Sequence, residues 1–462
     1  MEISIASPSQ SDASRRGEWF GHPRGLAFIA FTEAWERFSF YGMQALLVLY
    51  MTGQLLLPGH VEKVWGFEGF EAALTLLFGA LSRQALASQI FGLYVGLVYF
   101  APVLGGLVGD RLTGRRRAVL AGAALMAGGH FLMAIEAAFL PALALLILGC
   151  GLLKGNLAAQ VGDLYAKEDR RRDGAYTIYC TAINIGAFVA PLVCGTLGEL
   201  YGWHYGFTAA GIGMMLSIVI YLIGMRHLAP EAGPLAARER VRLAPGEGRV
   251  VAALLALLAV TALYWIAQTQ VWNTYPLWLR DNVDRSVGGG LVIPVTWFQA
   301  LDSLAVLVLA PVMIILWKRQ AARGAEPGDM SKIALGMLLY GAACLLLTLG
   351  QAIAGRGQVW LVWPVLFHFV CAVAYLYAAP IALALVSRAA PAAVNAMMVG
   401  AYYLAIFVGG IVSGWLGRFW EPLGPASFWA LHGGIAIAGA AILMLLRGAF
   451  LRALHVSPAA AG

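Results

Sequence analysis

The chain has 462 residues, 60% of them hydrophobic and only 12% charged, with a mean hydropathy of +0.76, against about 25% charged in an ordinary globular protein. That balance excludes a water-soluble enzyme and places the chain in a bilayer. The net charge of +7 does not point to nucleic acid, because the basic residues sit in short clusters between apolar runs and not on an aromatic-interleaved face.

The first 24 residues are polar, so no cleavable leader is expected and the first apolar run should direct insertion itself. Apolar helical runs are then expected at 25–51, 86–109, 118–138, 140–164, 174–199, 203–226, 250–274, 291–316, 330–353, 358–387, 393–417 and 427–450, twelve in all. Basic residues fall on alternate loops. One side collects Arg15, Arg16, Arg24, Arg111, Arg115, Arg116, Arg117, Lys167, Arg170, Arg171 and Arg172, and later Arg226, Arg238, Arg240, Arg242, Arg249, Lys318, Arg319, Arg323, Lys332, Arg388, Arg447 and Arg452. The other side keeps Lys63, Arg83, Arg280, Arg285, Arg356 and Arg418. The positive-inside rule therefore puts both termini in the cytoplasm, with the chain multi-pass in the inner (plasma) membrane.

The predicted organisation is a cytoplasmic tail (1–24), a six-helix bundle (25–226), a cytoplasmic linker (227–249), a second six-helix bundle (250–450) and a cytoplasmic tail (451–462). The linker carries Pro230, Pro234 and Pro245 and is too short and too charged to cross the membrane twice. This all-α, six-plus-six layout resembles the major facilitator fold, whose parallel halves enclose a site at mid-membrane. Between the second and third runs, Gly106, Asp110, Arg111, Gly114, Arg115 and Arg116 spell GxxxDRxxGRR. A tight turn is expected there, with Asp and Arg side chains capping helix ends and bridging neighbours as the halves rock. Cys150, Cys180, Cys194, Cys344 and Cys371 lie inside apolar runs with no CxxC pair, so neither disulfide, metal site nor cofactor is expected.

An ionised side chain deep in a span costs roughly 2.5–3.5 kcal/mol on insertion scales, so each one needs a partner or a purpose. Glu33, Glu36 and Arg37 share one helical face of the first run, with Glu33 and Arg37 spaced to pair. Lys154 sits among Leu152, Leu153 and Leu157, too deep for easy snorkelling. Because buried ion pairs stabilise poorly, the group reads as a carboxylate site joined to a proton relay.

Glu33-Ala-Trp-Glu36-Arg37-Phe38-Ser39-Phe40-Tyr41-Gly42 resembles the ExxERFxYYG stretch of the proton-dependent oligopeptide transporter (POT) family. Gly151-Leu-Leu-Lys154-Gly-Asn156 resembles its GLxKPN, and Arg171-Arg-Asp173 through Ile183-Asn184-Ile-Gly186-Ala-Phe188 its fifth-span signature; Gly202-Trp-His-Tyr-Gly206-Phe and Trp297-Phe298-Gln299 are also similar. The resemblance implies a proton-driven symporter of di- and tripeptides. In such proteins the residues matching Arg37 and Lys154 receive the peptide carboxylate, those matching Glu33 and Glu36 exchange protons and partners with that lysine, and the one matching Asn184 bonds the peptide backbone. A guanidinium and an ammonium in low dielectric do suit a carboxylate.

The sequence departs from that family at the other end of the site. Thr269 stands where the seventh-span glutamate is expected, Tyr375 replaces the tenth-span acid, and Asp302 replaces an asparagine on the eighth. Asp302 is therefore expected to face a substrate ammonium, with Tyr375 and Gln270 adding hydrogen bonds or a cation–π face. Cys180, Phe40 and Gly155 also differ from the family residues, predicting fewer hydroxyls and altered bending of the fourth span. Tyr41, Tyr99, Trp297 and Tyr402 are expected to line the pocket, whereas His368 reads as a packed or interhelical hydrogen-bonding residue. The partners implied are a short peptide or related carboxylate, protons and the bilayer, and a monomer is expected. Two alternatives are a transporter of a non-peptide carboxylate or modified peptide, suggested by Thr269 and Tyr375, and a non-transporting nutrient sensor. No nucleophile–base pair or phosphate loop suggests an enzyme.

Overall fold

The structure, a computed structural model, describes residues 17–166, 169–230 and 243–454. Of the expected inside-facing basic residues, Arg15, Arg16, Lys167, Arg238, Arg240 and Arg242 lie outside the described residues, as do most of both tails and the middle of the linker.

The described chain opens with a two-residue hairpin, β1 (Glu18–Trp19) against β2 (His22–Pro23), which an all-helical reading omitted. Arg171 Nη1 holds it, donating to Glu18 Oε1 at 2.9 Å and to the Gly21 carbonyl at 3.0 Å. The same guanidinium hydrogen-bonds Asp169 and keeps that carboxyl below the usual carboxylate range.

Helices then follow in close agreement with the apolar runs. They are α1 (Arg24–Tyr50), the short α2 (Phe67–Phe78), α3 (Arg83–Val108), α4 (Arg115–Leu132), α5 (Phe139–Asp163), α6 (Arg171–Ala190) and α7 (Trp203–Gly224). After the linker come α8 (Glu247–Gln268), the short α9 (Thr274–Asn282), α10 (Val295–Ala322), α11 (Asp329–Ala354), α12 (Val362–Ala389), α13 (Asn395–Leu416) and α14 (Trp420–Ala453). Neither α2 nor α9 was expected. Among the described residues, nine helical stretches are long and apolar enough to cross a membrane.

The helices pack as two groups. In the first, α1 lies against α6 and α7, α4 against α5 and α7, and α3 against α5; in the second, α11 lies against α12 and α14, α8 against α13 and α14, and α10 against α12. Lipid offers no hydrophobic drive for association, so close packing of small residues does much of the work. A Cβ on Gly105 of α3 would stand 2.0 Å from the Gly151 carbonyl of α5. The crossing is locked by Asn156, whose Nδ2 donates to the Gly105 carbonyl at 3.1 Å and to that of Leu152 at 2.8 Å. This fixes the turn of α5 that carries Lys154. Helix α5 runs unbroken through Gly155.

The groups meet along two seams, α3 with α13 and α6 with α10. At the first, Gly92 lies against Gly410 and Gly414, and a Cβ on Gly92 would come within 2.5 Å of the Gly410 carbonyl.

Candidate functional site

Helix α1 is buried along most of its length, and that burial makes its three charges consequential. Glu33, Glu36 and Arg37 are 1%, 0% and 2% exposed. Arg37 Nε lies 3.0 Å from Glu33 Oε1 and 2.5 Å from Glu36 Oε2, so the expected Glu33–Arg37 pair forms and Glu36 joins it. The guanidinium also lies over the Phe40 ring, 5.1 Å from its centroid. Two carboxylates around one guanidinium leave one negative charge in excess unless a proton or a second cation compensates. Arg37 Nη2 and Glu33 Oε2 are buried and carry no hydrogen-bond partner, so donor capacity is held in reserve.

Lys154 is half-buried, and its ammonium sits over the Tyr99 ring, 4.0 Å from the centroid. No described carboxylate lies within 4.0 Å of it. Tyr99 stacks on Tyr403 across the α3–α13 seam at 6.4 Å, and Tyr41 stacks on Trp272 at 5.3 Å. Tyr41 lies in the electrostatic range of Arg37, Lys154 and Asp302 together. Tyr375, 39% exposed, lies likewise within range of Tyr41, Tyr99, Cys180 and Asp302. The arrangement sets cations on the α1–α5 side and an acid on the α10 side. Half-buried Asn184, on α6, spends its amide on the Cys180 carbonyl of its own helix at 2.9 Å.

Three expected pocket residues are elsewhere. Gln270 is fully buried; its Nε2 contacts the Ser413 carbonyl and His432 Nε2, each at 3.0 Å, and its Oε1 accepts from Thr274 Oγ1 at 2.7 Å. With its amide already engaged on both ends, it ties α14 and α13 to the start of α9 and has nothing to offer a ligand. Tyr402 is 4% exposed and donates to the Ala379 carbonyl at 3.1 Å; one step along α13, Tyr403 stacks on Tyr99. Trp297 lies at the α6–α10 seam and donates from Nε1 to Thr196 Oγ1 at 2.7 Å. Thr269 turns its hydroxyl to the Trp265 carbonyl at 2.8 Å.

Hydrogen bonds between the two groups gather at one end. Glu199 caps α10 across the seam: its carboxylate accepts from the Val295 and Thr296 N–H groups at 2.8 Å and from Thr296 Oγ1 at 2.7 Å, where the helix dipole favours a negative charge. Arg418 Nη2 donates to the Phe78 carbonyl at 2.8 Å, and Arg280 Nη1 to Thr52 Oγ1 at 3.3 Å. Sequence reading passed over Glu199, although the small-residue spacing Gly92-x-x-x-Gly96 facing Gly410-x-x-x-Gly414 was legible.

The opposite end carries the expected basic turn. Arg115 Nε meets Asp110 Oδ1 at 3.0 Å and its Nη1 meets Asp163 Oδ2 at 2.7 Å, joining α4 to α5. Arg116 Nη2 donates to the Ala229 carbonyl at 2.6 Å. Gly114 has φ +80, which a side chain would strain. Gly106, by contrast, meets nothing within 4 Å of a Cβ, so packing in this conformation does not demand glycine there as the spacing suggested. Arg111 is exposed.

Two helical groups closed at one end over buried charges define an all-helical membrane transporter of the major facilitator type. A profile described as the POT family matches residues 116–234 and 243–421. The di-/tripeptide transporter of Lactococcus lactis subsp. cremoris is 28% identical, over 94% of this chain and 97% of that protein. The uncharacterized transporter YclF of Bacillus subtilis (strain 168) is 27% identical, over 94% and 96%. Among solved structures, a peptide transporter POT in complex with sulfate superposes with TM-score 0.84 at 28% identity, covering 97% of this chain and 99% of that one. A POT family transporter in complex with 5-aminolevulinic acid gives 0.81 at 25%, covering 94% and 98%. The chain belongs to the POT family, whose members named here are transporters and not enzymes.

Proposed function

We propose that the chain is a proton-coupled symporter that carries di- and tripeptides inward by alternating access. The observation that carries this reading is the buried Glu33–Glu36–Arg37 cluster, one positive charge short, facing a lysine that is free of any described carboxylate. A substrate carboxylate binds Arg37 and Lys154. Its negative charge makes protonation of Glu33 or Glu36 favourable, and the neutralised site can then be closed over and desolvated. Release on the far side lets Lys154 return to the glutamates. Tyr41, Tyr99 and Tyr375 surround the bound molecule, Asn184 reaches its backbone, and Asp302 faces its amino group. Gly106, Asp110, Arg111, Gly114 and Arg115 form the turn that re-pairs as the halves rock.

Twelve crossings account for the helices. The nine apolar stretches include Met397–Ala453, which breaks at Gly424 (φ 71, ψ 167) and counts twice, and α1 and α4 add two more despite their charges. They divide into bundles 25–226 and 250–450 around the linker 227–249, with the tails 1–24 and 451–462 in the cytoplasm and the protein a monomer in the inner (plasma) membrane. In that orientation the Glu199 end is the external one and acts as the closed gate.

Uptake of labelled dialanine and trialanine into proteoliposomes tests the reading. Accumulation that needs an inward proton gradient and collapses with a protonophore is expected; no accumulation by folded, inserted protein would overturn it. A second reading, a non-peptide amino carboxylate as cargo, is favoured by the buried, self-bonded Thr269 hydroxyl, which leaves few polar groups to read a peptide backbone on that side.

A further inference from the structure

The second helical group holds an acid and an imidazole that the carboxylate-end mechanism does not use. Asp302 on α10 is half-buried, its side chain 22% exposed, and the nearest basic group is His368 on α12, with Nδ1 3.7 Å from Asp302 Oδ1. That separation allows attraction but is too long for a hydrogen bond. His368 is fully buried, and neither ring nitrogen has a partner; one turn before Asp302, the Gln299 amide is buried with both its atoms unpartnered. Leaving such groups unsatisfied costs about 1–3 kcal/mol each, a cost that makes sense where a ligand or proton comes and goes.

Among the described residues, Asp302 has no charge partner within 4.0 Å other than His368, and aromatic rings close around the imidazole. His368 is packed edge-on by Tyr275 from α9 at 5.2 Å and by Phe367 at 5.4 Å. The other titratable groups in electrostatic range of Asp302 are Tyr41 on α1, Tyr264 on α8, Tyr340 on α11, and Cys371 and Tyr375 on α12. These tyrosines and the thiol carry no charge that could pair with the carboxylate, and among the described residues no Lys or Arg nitrogen lies within 4.0 Å of it. The side chain of Asp302 keeps 22% of its surface exposed, so the carboxylate is open to a ligand while His368 behind it is not.

We propose that Asp302 and His368 form a site that holds either one extra proton, as imidazolium beside carboxylate, or the ammonium group of a substrate, but not both. When R–NH3+ settles on Asp302, the imidazolium beside it becomes a like charge in low dielectric and gives its proton to water. His368 is left neutral, and no bond in the substrate changes. A substrate with a free amine therefore brings its own positive charge in place of a proton, whereas an N-acylated substrate leaves the proton on His368. The number of protons carried then depends on the cargo. This rests on the proposed transport of amine-bearing carboxylates and adds what sets their proton count.

The test is calorimetric binding of dialanine and N-acetyl-dialanine to the purified full chain in detergent, in two buffers of unlike ionisation enthalpy, near pH 6 where imidazole titrates. Dialanine is expected to release up to about one proton more than its N-acetyl form. In His368→Gln that difference should vanish. Asp302→Asn should weaken dialanine at least 10-fold while changing the N-acetyl ligand far less. Equal proton counts for both ligands in the unaltered protein would overturn the proposal whether or not the variants fold. If neither ligand bound, the substrate reading would fall and this proposal with it, which separates the two failures.

Discussion

The two helical groups solve the problem of charge in a membrane in opposite ways. The first concentrates it: Glu33, Glu36 and Arg37 share one buried helix face with Lys154 close by, and their hydrogen-bonding capacity is left partly unused. The second ties its helices with neutral contacts such as the Gln270–His432–Thr274 network and the Ser413 carbonyl, and sets apart from them the acid–imidazole couple of Asp302 and His368. A fully paired polar network rigidifies the helices it joins, whereas an unbalanced one responds to a ligand or proton. Responsiveness thus resides in the α1 cluster of the first group and, in the second, in the Asp302–His368 pair, which the Gln270 network frames.

The strongest way to break that contrast is Arg37→Ala. It leaves two buried carboxylates with no counter-charge, so folding stability should drop by roughly 3–5 kcal/mol and uptake should disappear; a melting curve and a transport assay read both. An unchanged melt would mean the cluster is not the responsive element. Glu36→Gln keeps the shape and removes one titrating site. Concentrative uptake should be lost while exchange of substrate across the bilayer persists, and retained accumulation would sink the coupling role of Glu36.

Lys154→Ala should raise KM about 10-fold, a difference of ~1.4 kcal/mol, for carboxylate-bearing substrates and leave amidated ones little changed. Equal losses for both would deny Lys154 its carboxylate. Glu199→Gln weakens the cap on α10, which should release the closed end by about 1 kcal/mol. Cys180 reports it, being exposed while Cys150, Cys194, Cys344 and Cys371 are buried. A membrane-impermeant thiol reagent applied from outside should label it about 5-fold faster. Gln270→Ala should change transport least: it should cost about 1–3 kcal/mol of stability by stranding His432 and the Ser413 carbonyl with KM unaltered, and a raised KM at full stability would return Gln270 to the pocket.

The charged half of the site was legible in the sequence because ionisable residues in apolar helices are conspicuous and helical spacing assigns them a common face. Glu33, Glu36 and Arg37 meet as expected. The aromatic and amide half was not. Choosing between Tyr402 and Tyr403 is a matter of one residue of helical phase, about 100° of rotation, and flanking apolar residues do not fix that rotation. Gln270 looked available because a polar residue in a span suggests purpose, and only the positions of His432 and Ser413 far along the chain reveal that it is spent. Glu199 escaped notice because its partners are backbone N–H groups, which leave no trace in the sequence.

The amino-acid sequence alone determined the membrane class, the helical runs to within a few residues at most ends, the basic turn and the buried charges of α1. Each follows from hydropathy and local spacing, which depend on neighbours in the chain. Tertiary structure decided which end is closed, that Lys154 rests on Tyr99, that Asp302 faces His368, and which polar residues are already satisfied. Those are facts about pairs distant in sequence, and the energy of a polar group in a low-dielectric interior depends on whether its partner arrives.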